Sequence, residues 1–420
     1  MSTSDITASG PGVAPELPRH APLSTNGFVI VIALLMALNA LATDIMLPGL
    51  EVMADSLGVT DQNRMQTVIT AYLIGFGGMQ LCVGVFADRF GRKPVLLLGL
   101  AVYTAAAFYI AVAHSMEALL LGRFVQGMGA AAPRVIATAT LRDCYEGRGM
   151  ARIMSLAMMA FMAAPVIAPL LGQTIMFAVS WHWVFVLLGL YGLGLMLFIG
   201  ARLPETMRPE DKRAIELRAI LRGVGHVLRS RQAVGYMLAA GTFFGALFGF
   251  INSSQQLLVG VYGMGPWFPA MFALTALSLG ISSFTNSRLV ERLGMRMLSH
   301  GAACAYTVLG FIMLACHHAG VLNGWVFIPL MTATMLFVGM VFSNFNALAM
   351  APLGHVAGIG SSIIGCVTTL TGAVIGYGIG QAFDGTAGPL VTGYAACGLA
   401  SLAILLFTER GRLFQGHGGN

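Results

Sequence analysis

The stretch Gly84 to Leu96, GVFADRFGRKPVL, is a polar, strongly basic island clamped between two apolar runs, each about long enough to cross a bilayer. That pattern predicts a tight turn between two membrane helices. Gly84 and Gly91 permit close packing and chain reversal, Asp88 can face helix N-terminal amides, and Arg89, Arg92 and Lys93 hold the turn on the cytoplasmic side. A weaker copy, Glu291-Arg292-Leu293-Gly294-Met295-Arg296, follows 203 residues after Asp88-Arg89-Phe90-Gly91-Arg92-Lys93. An acid and a base, then Gly and a second base, recurring at half the chain length, predict two similar halves, an arrangement common among secondary transporters.

Composition agrees with a membrane protein. Of 420 residues, 57% are hydrophobic and only 10% charged, and the mean hydropathy is +0.80. The 53 glycines suit helices that pack closely without a hydrophobic force between them. A net charge of +6 would raise the question of nucleic acid in a soluble protein. Here the bases sit in short loops between apolar spans, so they are read as setting orientation, and no nucleic-acid partner is expected. Cys82, Cys144, Cys304, Cys316, Cys366 and Cys397 form no CxxC, and the pair His317-His318 has no third ligand near it in sequence. Neither a disulfide framework, a metal site nor a cofactor is expected.

Twelve apolar spans are predicted, at 28–47, 67–87, 94–113, 118–140, 153–178, 183–201, 233–258, 268–287, 297–316, 325–349, 358–382 and 389–407. An even number puts both termini on one side. Of the 23 Lys and Arg residues, 20 fall in the tails and loops on the N-terminal side, whereas the opposite loops hold only Arg64 and carry Glu51, Asp55, Asp61, Glu117 and Asp384. Both termini are therefore expected in the cytoplasm. The expected organisation is a disordered tail over 1–27, a six-helix bundle over 28–201, a cytoplasmic linker over 202–232, a second six-helix bundle over 233–407 and a tail over 408–420. The linker's mixed charges suggest an amphipathic helix along the membrane surface rather than part of a substrate site.

Three charged residues lie within the spans: Asp44, Arg123 and Arg134. Each costs about 2.5 to 3.5 kcal/mol at membrane depth on insertion scales, so each calls for a partner or a function. Asp44 and Arg123 sit at similar depth and could pair across the bundle. Arg134 follows Arg123 by eleven residues, about three helical turns, so both project from one face. A cavity lined by that face would be net positive and would tolerate neutral, zwitterionic or anionic molecules better than dications. Bland readings stand beside these. Asp44 as a snorkelling interfacial acid, Arg123 as a structural tie and Arg134 reaching the cytoplasmic interface are each compatible with the sequence. A carboxylate in a low-dielectric cavity beside an arginine is chemically suited to load a proton on one side and release it on the other. Tyr72, Gln126, Phe161, Asn252 and Gln255 are the further candidates for a substrate cavity, offering amides and apolar surface.

The Gly84–Leu96 stretch resembles the loop 2-3 signature of the major facilitator superfamily, of the form GxLaDrxGrkxxl. Arg123-Phe124-Val125-Gln126-Gly127-Met128-Gly129-Ala130-Ala131 is similar to the fourth-helix RxxQGxgaa motif, whose Arg is associated with proton coupling. Ala164 to Gly172, with Pro165 and Pro169, resembles the antiporter motif of drug exporters, where bends and close packing serve a hinge or seal. Thr43-Asp44-Ile45-Met46-Leu47-Pro48, Tyr72, Gln80, Arg142-Asp143, Trp181 with Phe185, Leu203-Pro204-Glu205-Thr206 and Asn286 with Arg288 resemble the Bcr/CflA group. The chain departs from the pattern at Gln173, His182 and Arg134, the last putting transfer of a substrate from known members in doubt.

The resemblance implies an all-α membrane protein of twelve helices in two pseudo-symmetric six-helix bundles, lying in a bacterial inner membrane as a monomer. It implies proton-coupled efflux of small amphiphilic drugs such as phenicol- or bicyclomycin-like compounds, with Asp44 and Arg123 coupling protons and Gly84, Asp88, Arg89, Gly91, Arg92, Pro165, Pro169 and Gly172 in gating. A metabolite or dipeptide exporter of the same fold, or a transport-inactive receptor, is the alternative. An enzyme is disfavoured, since no His/Asp/Ser or metal cluster falls at membrane depth.

Overall fold

The computed structural model describes residues 23–145, 147–208, 210 and 217–414, and among these the secondary structure is helical throughout. Twelve long helices form two sets of six. The first set comprises α1 (Thr25–Asp44), α4 (Thr67–Phe90), α5 (Arg92–Ile110), α6 (Met116–Cys144), α7 (Gly147–Ala178) and α8 (His182–Arg202). The second comprises α10 (Arg231–Gln255), α11 (Phe268–Leu293), α12 (Met295–His318), α13 (Gly324–Met350), α14 (Ala357–Gln381) and α15 (Gly388–Thr408). Short helices α2 (Leu50–Ser56) and α3 (Gln62–Met65) join α1 to α4, and α9 (Leu217–Arg229) lies between the two sets. Ten of the long helices are apolar and long enough to cross a membrane by length and composition. The other two, α6 and α7, complete the twelve. Spans of this kind must be helical, because a bilayer offers their backbone amides no water.

Several ends fall where local chemistry puts them rather than at the edges of the apolar runs. The first span stops as an α-helix at Asp44, and Leu47–Gly49 forms a 3-10 turn around Pro48, which cannot continue the i to i−4 ladder. The seventh stops at Gln255 and passes into a π-helical turn over Gln256–Val261. Ser230 separates α9 from α10, and its Oγ accepts from Ala233 N at 3.2 Å as an N-cap.

Glycine decides how closely helices approach. A Cβ on Gly75 would meet the Phe124 carbonyl, and one on Gly127 would meet the Tyr72 carbonyl, so α4 and α6 touch backbone to backbone. The halves meet through two symmetrical pairs. α4, second of its set, packs on α14, fifth of the other, and α7, fifth of the first, packs on α11, second of the second.

The repeat seen in sequence is a structural repeat. Gly91 joins α4 to α5 with φ 104° and ψ 160°, and Gly294 joins α11 to α12 with φ 78° and ψ 156°. Positive φ at both points is why each turn holds glycine. Each half also straps the start of its third helix with a glutamate just beyond its sixth. Glu205 accepts from the backbone amides of Arg92 (2.9 Å) and Lys93 (3.2 Å), orphan donors in the first turn of α5. Glu409 instead pairs with the Arg296 side chain at 3.2 Å and accepts from Tyr236 Oη at 2.6 Å.

Candidate functional site

The α4–α6 contact sets the site, because it brings Tyr72 and Arg123 together inside the first bundle. Arg123 is wholly buried. Its guanidinium carbon stands 4.4 Å from the Tyr72 ring centroid, and the Tyr72 hydroxyl donates to Asn39 Oδ1 of α1 at 2.8 Å. Arg123 Nη1 donates to the Ala42 carbonyl at 3.1 Å and to Gln126 Oε1 at 2.8 Å, and Nε reaches the Val68 carbonyl at 3.4 Å. Ala42 lies in the last turn of α1, whose final carbonyls lack intrahelical donors and carry the negative end of the helix dipole. Arg123 therefore acts as a cap for α1.

This corrects the suggested pairing of Asp44 with Arg123. Asp44 is 5% exposed, and its carboxylate makes no hydrogen bond or ion pair among the described residues. The guanidinium takes the backbone carbonyl two residues before Asp44 instead. It leaves Arg123 Nη2 buried without a partner among the described residues. Such unmet buried donors are uncommon and mark a place where an acceptor can arrive.

Asp44 is also held from the α7 side. A Cβ on Gly172 would land on the Ile45 carbonyl, so α7 presses against the backbone next to the carboxylate. Pro169 is buried and Pro165 half-buried in the same helix. Arg134 is half-buried on the continuous helix α6 and forms no ion pair among the described residues. The Phe161 side chain lies outside the described residues. Tyr72 and Gln126, read as cavity-lining, are fully buried in this form.

The two remaining cavity candidates sit in a different place, where the halves are tied at the end bearing the acidic loops. Gln255 Nε2 donates to Glu51 Oε2 at 3.2 Å. Its neighbour Gln256 accepts from Gln66 and donates to Asn63 Oδ1 at 2.9 Å. Asn63 in turn donates to the Phe383 carbonyl at 2.9 Å and accepts, through its own carbonyl, from Gln381 Nε2 at 2.6 Å. Asn252 is buried beside them and donates to the Gly376 carbonyl at 3.1 Å within its own half.

At the basic end, Arg92 bonds Asp88 at 2.6 Å and Asp143 at 3.0 Å, Arg89 is exposed, and Asp88 faces the first turn of α14 near Gly358. A Cβ on Gly84 would meet the Ser362 hydroxyl of α14. Asn39, Asn63 and Gln66 escaped the reading of the sequence; of these Asn39 lies inside a predicted apolar run, where an uncharged amide was the available signal.

Comparison with known proteins agrees with the fold. A family profile described as Major Facilitator Superfamily matches residues 32–377. The chain belongs to the major facilitator superfamily. It is a multi-pass membrane transporter, not an enzyme. It is 31% identical over 394 residues to the bicyclomycin resistance protein homolog of Haemophilus influenzae, covering 92% of this transporter and 97% of that protein. It is 29% identical over 407 residues to the multidrug resistance protein MdtL of Escherichia coli, covering 93% and 97%. These relatives agree with the Bcr/CflA group that the motifs resemble. Among solved structures, the xylose transporter XylE of E. coli in a partially occluded inward-open conformation is similar in fold, with TM-score 0.72 at 12% identity, covering 92% of this chain and 99% of that one.

Proposed function

We propose that this transporter exports small amphiphilic drug-like molecules in exchange for protons, with Asp44 as the proton carrier. The relatives named for bicyclomycin and multidrug resistance support the cargo class. The observation that carries the coupling is a buried carboxylate without a partner among the described residues, two residues from a carbonyl held by Arg123 and beside the α7 contact at Gly172. By the excess of arginine and lysine, the end carrying the Gly84–Lys93 turn faces the cytoplasm of a bacterial inner membrane, and both termini lie there. The amide ties at the acidic end then close the outer side in this form.

The residues supply a simple exchange. Protonated, the Asp44 carboxyl is neutral and tolerates its apolar setting without an ion partner. A tilt of α7 against Ile45 shifts the end of α1 and brings the carboxyl toward the unmet Nη2 of Arg123, which favours the anion and release of the proton. Arg134 gives the inner face of α6 a second positive charge, which favours neutral or anionic cargo over dications. The test is proton flux in proteoliposomes on addition of phenicol- and bicyclomycin-like compounds. The parent should show substrate-evoked flux, and Asp44→Asn should lose it while retaining substrate exchange at zero proton gradient. Undiminished flux in Asp44→Asn would remove the assignment.

A further inference from the structure

Helix α9 divides its surface in three. Gly223 and Val227 are buried, with Gly223 against Ile359 in the first turn of α14. Leu221 and Leu228 are 59% and 58% exposed, seven residues apart and so on one stripe. Arg222, His226 and Arg229 are exposed on the third face, about 100° round from the leucines. One side is thus taken by protein, the next is apolar and open, and the third is basic.

The helix also has a defined height. It packs on α10 and on the first turn of α14, the N-terminal ends of two helices long and apolar enough to cross a membrane. Net charge changes along the linker as well. Over 202–216 the bases Arg202, Arg208, Lys212 and Arg213 balance the acids Glu205, Glu210, Asp211 and Glu216, whereas residues 217–232 hold Arg218, Arg222, Arg229 and Arg231 and no acid.

We propose that α9 is an anionic-phospholipid site: it lies in the corner between the bundles and the bilayer, with Leu221 and Leu228 in the acyl boundary and Arg222 and Arg229 on phosphate headgroups. An exposed apolar stripe edged by arginine is the pattern of a helix that rests in the interface. An apolar stripe adjoining the protein-facing side, with the bases beyond it, lets the arginines reach headgroups while the leucines stay in contact with acyl chains. The assignment does not depend on cargo or on proton coupling.

The experiment uses the full-length protein and reads lipid, not transport. Native mass spectrometry counts phosphatidylglycerol and phosphatidylcholine retained from mixed nanodiscs, for the parent, Arg222→Gln/Arg229→Gln and Arg222→Lys/Arg229→Lys. At low salt the Gln pair should lower the preference for phosphatidylglycerol on the order of tenfold, given the attraction of each base to an anionic surface, and the Lys pair should keep most of it. In parallel, amide hydrogen exchange over 217–229 should be slower in phosphatidylglycerol than in phosphatidylcholine nanodiscs. Equal retention by parent and Gln pair, or exchange that is the same in both lipids, would overturn the site.

Discussion

Replacing Arg123 by lysine separates two accounts of the buried arginine. If its role were only to carry a positive charge opposite Asp44, lysine would serve. The geometry says otherwise, because the guanidinium bridges the Ala42 carbonyl, the Val68 carbonyl and Gln126 Oε1 while lying over Tyr72. An ammonium group carries its donors on one atom and cannot span all three acceptors. At least one buried acceptor then loses its donor, at about 1 to 3 kcal/mol, and part of the stacking on Tyr72 goes with it. The expected cost is about 1 to 4 kcal/mol, seen as a fall of several degrees in apparent melting temperature in detergent, followed by intrinsic fluorescence. Asp44→Asn removes no partner and takes away a buried charge, so it should change stability by less than about 1 kcal/mol, or raise it. The reasoning fails if Arg123→Lys melts with the parent, or if Asp44→Asn costs as much as the arginine variant, since that would point to an ion pair between them.

Glu205→Ala deprives the amides of Arg92, Lys93 and Met207 of their acceptor and should cost about 1 to 3 kcal/mol. Glu409→Ala should cost a similar amount in the other half through Arg296 and Tyr236, and the double variant should show the sum, measured by melting temperature. A double variant no worse than either single one would contradict two independent straps. Gln256→Ala breaks the ties to Gln66 and Asn63, about 1 to 2 kcal/mol of closure, so the acidic end should open more often. A cysteine in place of the buried Ala54 at the same end should then react faster with a membrane-impermeant maleimide than it does with Gln256 intact. Unchanged labelling would mean these amides do not hold that end shut.

Much of this could be read from residue order, and the reasons differ by feature. The spans were legible because a bilayer demands some twenty apolar residues per crossing, and the Gly91 and Gly294 turns because a positive φ and a basic loop leave a compositional mark. Asp44 and Arg123 stood out because charges are scarce at that depth. Their partners did not, since backbone carbonyls such as Ala42 carry no residue-specific signal. The end of α1 at Asp44 was hidden for a related reason: the apolar run continues past it to Leu47, and only the local turn around Pro48 ends the helix. Neutral amides such as Asn39 and Gln66 carry no charge to mark them, and only the fold shows which of them cross between helices or halves.

The contact of Gly172 with the Ile45 carbonyl puts no side chain between the two strands of main chain. A joint of that kind has no rotamer to take up slack, so whatever tips α7 must drag the neighbouring acid with it. On the proton-exchange reading, cargo and proton would share a single stiff pivot. A compound wedged there would stall both at once, and a substitution bulky enough to expel it would also pry the pivot apart.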